Sequence, residues 1–165
     1  MSAMKNPHHL IVFVLDRQRY ALPLPVVDRV VRMVAVTPLP KAPDIVLGVV
    51  NFQGRVIPVI NMRQRFCLPE REVALSDQLV VAHTSRRPVA LVADAVLDVI
   101  ACSAQDMIPT ENILPRVEYV EGVVKLADGL IFIHDLDKFL SLEEESYLDH
   151  ALGSRSPENR VQETF

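Results

Sequence analysis

Short apolar runs alternate with polar turns along most of the chain, a pattern typical of an all-β protein. Residues 10–15 form a β-branched run that is followed by a polar turn and the run 20–22, which predicts a hairpin. The runs 47–52 and 55–60 flank Gln53-Gly54, a pair suited to a tight turn because glycine tolerates a positive φ. The whole pattern predicts about ten short strands, enough for two small closed barrels.

The order of these runs and turns occurs twice. Gly48–Met62 reappears, with many substitutions, as Gly122–Leu136. The stretch Tyr20–Val31 corresponds in the same way to Val89–Ile100, and the two matches keep their order. Two copies of one small unit, each too small to be very stable alone, predict a two-lobed domain.

The boundaries follow from this duplication. We predict a single domain over residues 8–152, with a first lobe core at about 10–66 and a second at about 76–135. Exchange of strands between the lobes is left open. The charged stretch 67–76 is predicted to link the lobes, and residues 103–118 to form a longer loop in the second copy.

The end of the chain changes its period. Beyond Ile133, apolar residues recur at spacings of three and four, which predicts a short helical segment after the barrels. Asp135 stands where a helix N-cap is needed, and Ser141 and Glu144 have capping-box spacing. Residues 153–165 are polar and are predicted to be a disordered tail.

Composition narrows the function classes. Half of the 165 residues are hydrophobic, and the net charge of −4 argues against a protein that binds a phosphate backbone. Cys67 and Cys102 are far apart and lack a C-x-x-C or histidine spacing, so we expect inert thiols rather than a disulfide or zinc. No targeting segment or membrane-spanning run is visible, and we expect a cytoplasmic protein.

The sequence offers little that could catalyse a reaction. The dipeptide His134-Asp135 could in principle act in acid–base chemistry, but adjacent side chains in a strand point apart and Asp135 is better explained as a cap. The chain shows no nucleophile elbow and no glycine-rich phosphate loop. We therefore expect no enzyme activity, no cofactor and no metal site.

The sequence features not yet explained concern the surface of the protein. Asn51 to Arg55 place an aromatic residue and several polar residues at a hairpin end, although turn chemistry alone could explain Asn51 and Gly54. Val27, Val30 and Val56 could belong to the core, as most alternating valines do. A strand is predicted at 27–36. The pairs Val26-Val27 and Val30-Val31 at its start nevertheless supply more apolar residues than one barrel face needs, which favours a groove or partner surface.

These motifs resemble the CheW family of chemotaxis coupling proteins. The similarity rests on Tyr20-Ala21-Leu22-Pro23, on the block Gly48–Arg63, on Ala93–Val99 and on Gly122 to Leu136, and it covers nearly the whole chain. It implies two five-stranded SH3-like barrels. It also implies a non-enzymatic adaptor that joins the cytoplasmic tips of chemoreceptors to the regulatory domain of a CheA-type histidine kinase, at the inner face of the membrane.

The resemblance also implies particular residues. Receptor contact would fall on Val27, Arg29, Asn51, Phe52, Gln53 and Val56, and coupling to kinase and receptor on Gly48, Gly54 and Arg55. Two positions depart from the family: Gln53 stands where a basic residue is usual, and Arg29 where an acidic one is usual. We therefore expect a non-standard chemosensory pathway, in which Arg29 recognises an acidic residue of a dedicated receptor.

Two alternatives and one further partner stay open. The chain could be an isolated regulatory module of a histidine kinase, or a small-barrel protein-binding domain outside chemotaxis. Its last residues, Glu163-Thr164-Phe165, resemble the end of the peptide by which some receptors tether a methyltransferase. Gln162 replaces the usual tryptophan of that peptide, and a chance match in a polar tail is the simpler explanation of the similarity.

Overall fold

The computed structural model describes residues 8–109 and 120–153, which form eleven strands and two α-helices. The strands are β1 (His8–Leu15), β2 (Gln18–Pro23), β3 (Val27–Arg32), β4 (Val46–Phe52), β5 (Arg55–Ile60), β6 (Gln78–His83), β7 (Pro88–Ala93), β8 (Ala95–Cys102), β9 (Met107–Pro109), β10 (Val120–Leu126) and β11 (Gly129–His134). The helices are α1 (Met62–Arg65) and α2 (Leu142–Gly153), and short 3-10 turns cover Leu24–Val26, Ala104–Asp106 and Leu136–Lys138.

The two sheets exchange one hairpin each. One sheet, here called the first lobe, has the order β3-β6-β7-β5-β4, and the other, the second lobe, has the order β8-β1-β2-β11-β10-β9. The opening hairpin of each sequence copy, β1–β2 or β6–β7, therefore lies in the sheet formed by the remaining strands of the other copy. The predicted all-β fold of two small barrels with a C-terminal helical segment is confirmed.

The duplication extends to the details of pairing. Val59 of β5 pairs in parallel with Ala90 of β7, and the equivalent Ile133 of β11 pairs in parallel with Ala21 of β2. The register of β3 against β6 shifts at Asp28, and the register of β8 against β1 shifts at the equivalent Leu97. Matching bulges indicate that the copies share one backbone plan, because a bulge is a defined feature of a strand pair.

Each barrel is closed by the segment that follows its edge strand. After β3, Thr37 pairs with Val49 of β4 through two backbone hydrogen bonds of 2.8 Å. After β8, Ile108 of β9 pairs in the same way with Val123 of β10. Closure removes the open edges that a five-stranded sheet would otherwise present.

Three apolar clusters of described residues form the core. Alternate side chains of β1 divide between two of them, as expected for a strand buried on both faces: Leu10 and Val12 fill the second barrel, whereas Ile11 and Phe13 pack between the lobes. The first barrel has its own cluster, which includes Met33, Val50, Ile57, Val59, Leu79, Val81 and Ala90. The largest cluster lies between the barrels, so the lobes share one interior.

The C-terminal segment packs against this shared interior. Asp135 accepts a hydrogen bond from the Asp137 amide and caps the 3-10 turn, as predicted. Ser141 and Glu144 form the predicted capping box at the start of α2: the Glu144 amide donates to Ser141 Oγ at 3.1 Å, and the Ser141 amide donates to a Glu144 carboxylate oxygen at 2.8 Å. Leu148 and Ala151 then bury one face of α2 between the lobes.

Several local predictions were wrong. Of the predicted loop at 103–118, residues 104–109 form a 3-10 turn and β9, because β9 pairs with β10 and closes the second barrel; residues 110–118 lie outside the described residues. Helix α1 was not predicted, although Asn61 caps it by accepting a hydrogen bond from the Gln64 amide at 3.2 Å. The strand predicted at 27–36 ends at Arg32.

Candidate functional site

The tip of the β4–β5 hairpin is held by turn chemistry. Gln53 and Gly54 both have positive φ, 52° and 81°, which is the conformation that a two-residue hairpin turn requires. The Gly54 amide donates to Asn51 Oδ1 at 3.1 Å and fixes the turn. A positive φ costs roughly 1 kcal/mol at a residue with a side chain, such as Gln53. The geometry of the turn therefore does not explain why glutamine stands at this position.

Barrel closure brings this tip beside β3. The guanidinium carbon of Arg29 lies 5.3 Å from the centroid of the Phe52 ring, a cation–π geometry. Such a contact contributes about 0.5–1 kcal/mol at an exposed site. The phenyl ring therefore holds an extended, charged side chain in place on the surface. Within residues 8–109 and 120–153, Arg29 has no carboxylate at ion-pair distance.

The six residues expected to contact a receptor lie on or next to this contact. We call Val27, Arg29, Asn51, Phe52, Gln53 and Val56 the first-lobe surface. Arg29, Asn51, Gln53 and Val56 are exposed, while Val27 and Phe52 are half-buried. Val56 keeps 41% of its surface in contact with solvent. The surface combines a cation that lies over an aromatic ring with the exposed side chain of Val56 and the half-buried side chain of Val27.

Gly48, Gly54 and Arg55 are placed differently from one another. Gly54 and Arg55 are exposed at the hairpin tip, next to the first-lobe surface. Gly48 is buried, and a Cβ on it would lie 2.3 Å from the Thr37 carbonyl oxygen. Gly48 therefore acts through close backbone approach: it permits the Thr37–Val49 pairing that closes the first barrel.

One pair next to this surface was missed by the sequence analysis. His83 Nδ1, at the end of β6, lies 2.9 Å from Oδ1 of Asp28, the extra residue of the β3 bulge. The pair fixes the backbone between Val27 and Arg29 to the β6–β7 hairpin. The sequence gives a weak signal for it, since the bulge that brings the carboxylate to the histidine is visible only in the paired strands.

A second missed feature is an ion-pair network where the lobes meet. Asp94 accepts hydrogen bonds from Arg63 at 2.8 and 2.9 Å, from Arg71 at 2.6 Å and from the Asp16 amide at 2.9 Å. Arg71 also forms a two-pronged contact with buried Asp77, at 2.6 and 3.0 Å. These bonds join α1, the segment after it and the β7–β8 junction to the β1–β2 turn.

This network shifts the ionisation of its members. Burial acts to raise the pKa of Asp94, but the Asp16 amide and the two arginines outweigh it and hold that pKa below its ordinary value. The hydrogen bond to Asp77 raises the pKa of Arg71 further above its already high value. Both groups are therefore charged throughout the physiological range, and the network serves structure.

Among the described residues, the remaining titratable groups do not converge on a reaction centre. His134 is buried in an aromatic stack, with its ring centroid 4.2 Å from that of Phe66 and 4.9 Å from that of Tyr20. A cleft of about 310 Å³ between the lobes is lined by Pro23, Val26, His83, Glu121 and His134, among others. Within the described ranges, no three His, Cys, Asp or Glu residues are placed to hold a metal ion.

The C-terminal tripeptide Glu163-Thr164-Phe165 lies outside the described residues, as does the tail beyond Gly153. In the part of the chain that the structure covers, no helix is long and apolar enough to cross a membrane.

Comparison with known proteins gives consistent matches. The family model of the CheW-like domain matches residues 9–144. A chemotaxis protein CheW of Rhizobium meliloti (strain 1021) is 31% identical over 137 residues, which is 82% of this chain and 88% of the relative. Protein FrzA of Myxococcus xanthus is 30% identical over 133 residues, covering 76% of this chain and 79% of the relative. The crystal structure of the scaffolding protein TtCheW from Thermoanaerobacter tengcongensis superposes with a TM-score of 0.76 at 27% identity, covering 84% of this chain and 95% of that one.

Proposed function

The chain belongs to the family of CheW-like domains, and on that premise we propose that it is a non-enzymatic adaptor in a chemosensory pathway. It couples chemoreceptors to the regulatory domain of a CheA-type histidine kinase, and residues 8–152 act as one unit in doing so. The protein works in the cytoplasm, recruited to the inner face of the membrane through the receptors. Similarity to the scaffolding protein TtCheW supports the adaptor role.

The observation that carries the proposal is the Arg29–Phe52 contact. A surface that presents fixed groups binds its partner with little entropy loss. The first-lobe surface does this, because the Phe52 ring holds Arg29 while Val27 and Val56 offer apolar contact area. Arginine and aromatic residues are also the side chains that most often dominate binding energy at interfaces.

The Arg29–Phe52 contact also supports the proposal that this chain binds a dedicated receptor. A guanidinium is a planar fork of donors that matches a carboxylate, and Arg29 has no carboxylate partner of its own among the described residues. We propose that a receptor acid completes this pair. The family's usual charges are absent at Arg29 and Gln53, so this chain serves a pathway with its own receptor set.

Titration calorimetry tests the adaptor role directly. The full chain is titrated with the regulatory domain of the CheA-type kinase from the same organism, and separately with the cytoplasmic tip of the candidate receptor. We expect binding with a Kd of tens of micromolar or tighter for each partner. No heat and no co-elution with either partner at that concentration would contradict the proposal.

Arg29 substitutions test the site. Arg29→Glu is expected to abolish receptor binding and to leave kinase binding unchanged, because like charges then meet only at the receptor contact. Arg29→Lys should bind more weakly than the parent chain, since it keeps the charge but loses the planar fork. The matched control is Arg17→Glu, which makes the same charge change at an exposed turn away from the surface. If Arg29→Glu binds receptor as the control does, the site assignment is wrong.

We also propose, as a separate role, that the tail residues Glu163, Thr164 and Phe165 bind a methyltransferase of the pathway. A peptide of residues 154–165 titrated against that enzyme gives the test. Absence of binding at about 100 micromolar removes this role and leaves the adaptor proposal intact.

A further inference from the structure

Asp28 and Arg29 lie side by side on one face of β3. Val27 and Val30 both pack against the cluster between the lobes, although they are three residues apart. Regular alternation would place residues three apart on opposite faces, and the bulge at Asp28 accounts for the difference. The two residues between these valines therefore both point away from that cluster. A carboxylate thus neighbours the guanidinium that the proposed receptor site uses.

These two neighbours do not form an ion pair. Within residues 8–109 and 120–153, Arg29 lies over the Phe52 ring and has no carboxylate at ion-pair distance. Asp28 instead places its Oδ1 atom 2.9 Å from Nδ1 of His83. A carboxylate only accepts hydrogen bonds, so Nδ1 carries the hydrogen and donates it. His83 thereby holds the carboxylate that would otherwise be free to pair with Arg29.

The second lobe shows that the bulge does not need this pair. Its equivalent bulge on β8 is at Leu97, and Val14 of β1 stands where β6 has His83. Both of these residues are apolar, and the register of the strands shifts in the same way. The backbone that the polar pair joins therefore does not explain the pair. Its role lies instead in the group that stands beside it, which is Arg29.

We propose that His83 is a positioning residue for receptor binding: it holds Asp28 away from Arg29 and keeps the guanidinium open to a carboxylate of the partner. This inference rests on the proposed function, since it assigns a role within the receptor site. The competing carboxylate belongs to the same chain, so it is always present, whereas a receptor must arrive from solution. Without His83, the Asp28 side chain is free to turn to its neighbour and occupy the site.

The size of the effect follows from how readily exposed ion pairs form. Such a pair forms with an equilibrium constant on the order of 1 to 5. Chains in which Asp28 occupies Arg29 do not offer the guanidinium to a receptor, and the apparent affinity falls in proportion to the fraction that remains open. His83→Ala is therefore expected to weaken receptor binding by about two- to sixfold.

A second substitution separates competition from a loss of structure. If His83 only supported the backbone at the bulge, Asp28→Ala would break the same hydrogen bond and weaken binding as His83→Ala does. Competition predicts a different result, in which Asp28→Ala binds at least as tightly as the parent chain. The double variant with His83→Ala and Asp28→Ala should recover that affinity, because no carboxylate is left to turn to Arg29.

Two further variants serve as controls. His83→Asn should bind as the parent chain does, since its amide nitrogen can donate from the position of Nδ1. His150→Ala makes the same truncation at an exposed position of α2, outside the first-lobe surface, and should also leave binding unchanged. Unchanged melting temperatures show that any loss of binding is not a loss of folding.

Titration calorimetry with the receptor tip measures these affinities, and nuclear magnetic resonance of the chain alone gives a readout that needs no receptor. The Nε–H signal of Arg29, assigned by its loss in Arg29→Lys, should shift in His83→Ala and return in the double variant. An unmoved signal in His83→Ala, or a double variant that binds no better than His83→Ala, overturns the proposal. A parent chain that binds no receptor contradicts the proposed function instead, and the resonance result still decides whether His83 holds Asp28 away from Arg29.

Discussion

Gly48 should be the least replaceable glycine in the chain. Its φ is 155°, and a Cβ there would lie 2.3 Å from the Thr37 carbonyl oxygen and 2.8 Å from Cγ1 of Val36. The first obstacle is backbone that is fixed by two hydrogen bonds to Val49, so it cannot move without opening the seam of the first barrel. Gly48→Ala is therefore expected to strain both the glycine's own backbone and the segment that closes the barrel.

The loss of stability in Gly48→Ala can be estimated from the cost of the strained backbone and the cost of overpacking. Placing a side chain at an unfavourable φ costs about 1–3 kcal/mol, and overpacking against a fixed neighbour costs about 1–3 kcal/mol. Partial relaxation of the 36–37 segment lowers the second cost but weakens the Thr37–Val49 hydrogen bonds, each worth about 1 kcal/mol. We expect Gly48→Ala to lower the free energy of unfolding by about 3–5 kcal/mol, which corresponds to a fall in Tm of roughly 10 °C.

Gly54→Ala is the matched control. Gly54 also has a positive φ, 81°, but no atom lies within 4 Å of the position its Cβ would take. Its replacement should cost only about 1 kcal/mol, from backbone conformation alone. Urea unfolding of both variants, followed by circular dichroism, measures the difference. If Gly48→Ala is no less stable than Gly54→Ala, the close approach at Thr37 does not support the first barrel.

Three further changes test other parts of the structure. Phe52→Ala should leave folding intact but weaken receptor binding by about two- to fivefold, measured by titration calorimetry, because Arg29 loses the ring that positions it. Phe52→Tyr should bind normally, and equal binding of both variants would contradict the contact. The pKa of Asp94 is held below its ordinary value in the folded protein, so its contribution to stability is full above the unfolded pKa and is lost as pH falls through the folded one. The urea midpoint of unfolding should therefore decrease as the pH is lowered below about 5. Asp94→Asn should make this decrease less steep and should lower the free energy of unfolding by about 2–3 kcal/mol at pH 7. If the variant shows the same pH dependence as the parent chain, Asp94 does not have this role. Ser141→Ala removes one bond of the capping box and should cost about 1 kcal/mol in thermal unfolding, whereas Ser146→Ala, on the exposed face of α2, should cost almost nothing.

The duplication was readable from the sequence, but the exchange of hairpins was not. Repeated runs show which segments are equivalent, and they identified β2 with β7 and β4 with β10 correctly. Pairing within a copy and pairing across copies use the same residues with the same alternation, so the pattern cannot distinguish them. The hairpins pair across the copies because this arrangement buries both faces of β1 and β6. That burial can be seen only once all strands of both barrels are in place.

The candidate site, too, could be predicted only in part from the sequence. The resemblance to known adaptors named Arg29 and Phe52, but it could not show that the guanidinium lies over the ring, because that contact exists only once closure brings the hairpin tip beside β3. The pair His83–Asp28 and the Asp94 network were missed for a related reason. Their members are distant in sequence and follow no spacing rule, since bulges and chain crossings bring them together.

The exchanged hairpins bear directly on how an adaptor of this kind can work. Each lobe has a hairpin from the other copy in the middle of its sheet, and β1 and β6 bury side chains both inside a barrel and between the barrels. Separating the lobes would therefore expose all three clusters at once, at a cost far greater than any single binding event supplies. The outer surfaces of the two barrels are consequently held at a fixed distance and angle. A rigid scaffold with two such surfaces fixes the positions of its partners relative to each other. Binding one partner is also not needed to order the site for the next.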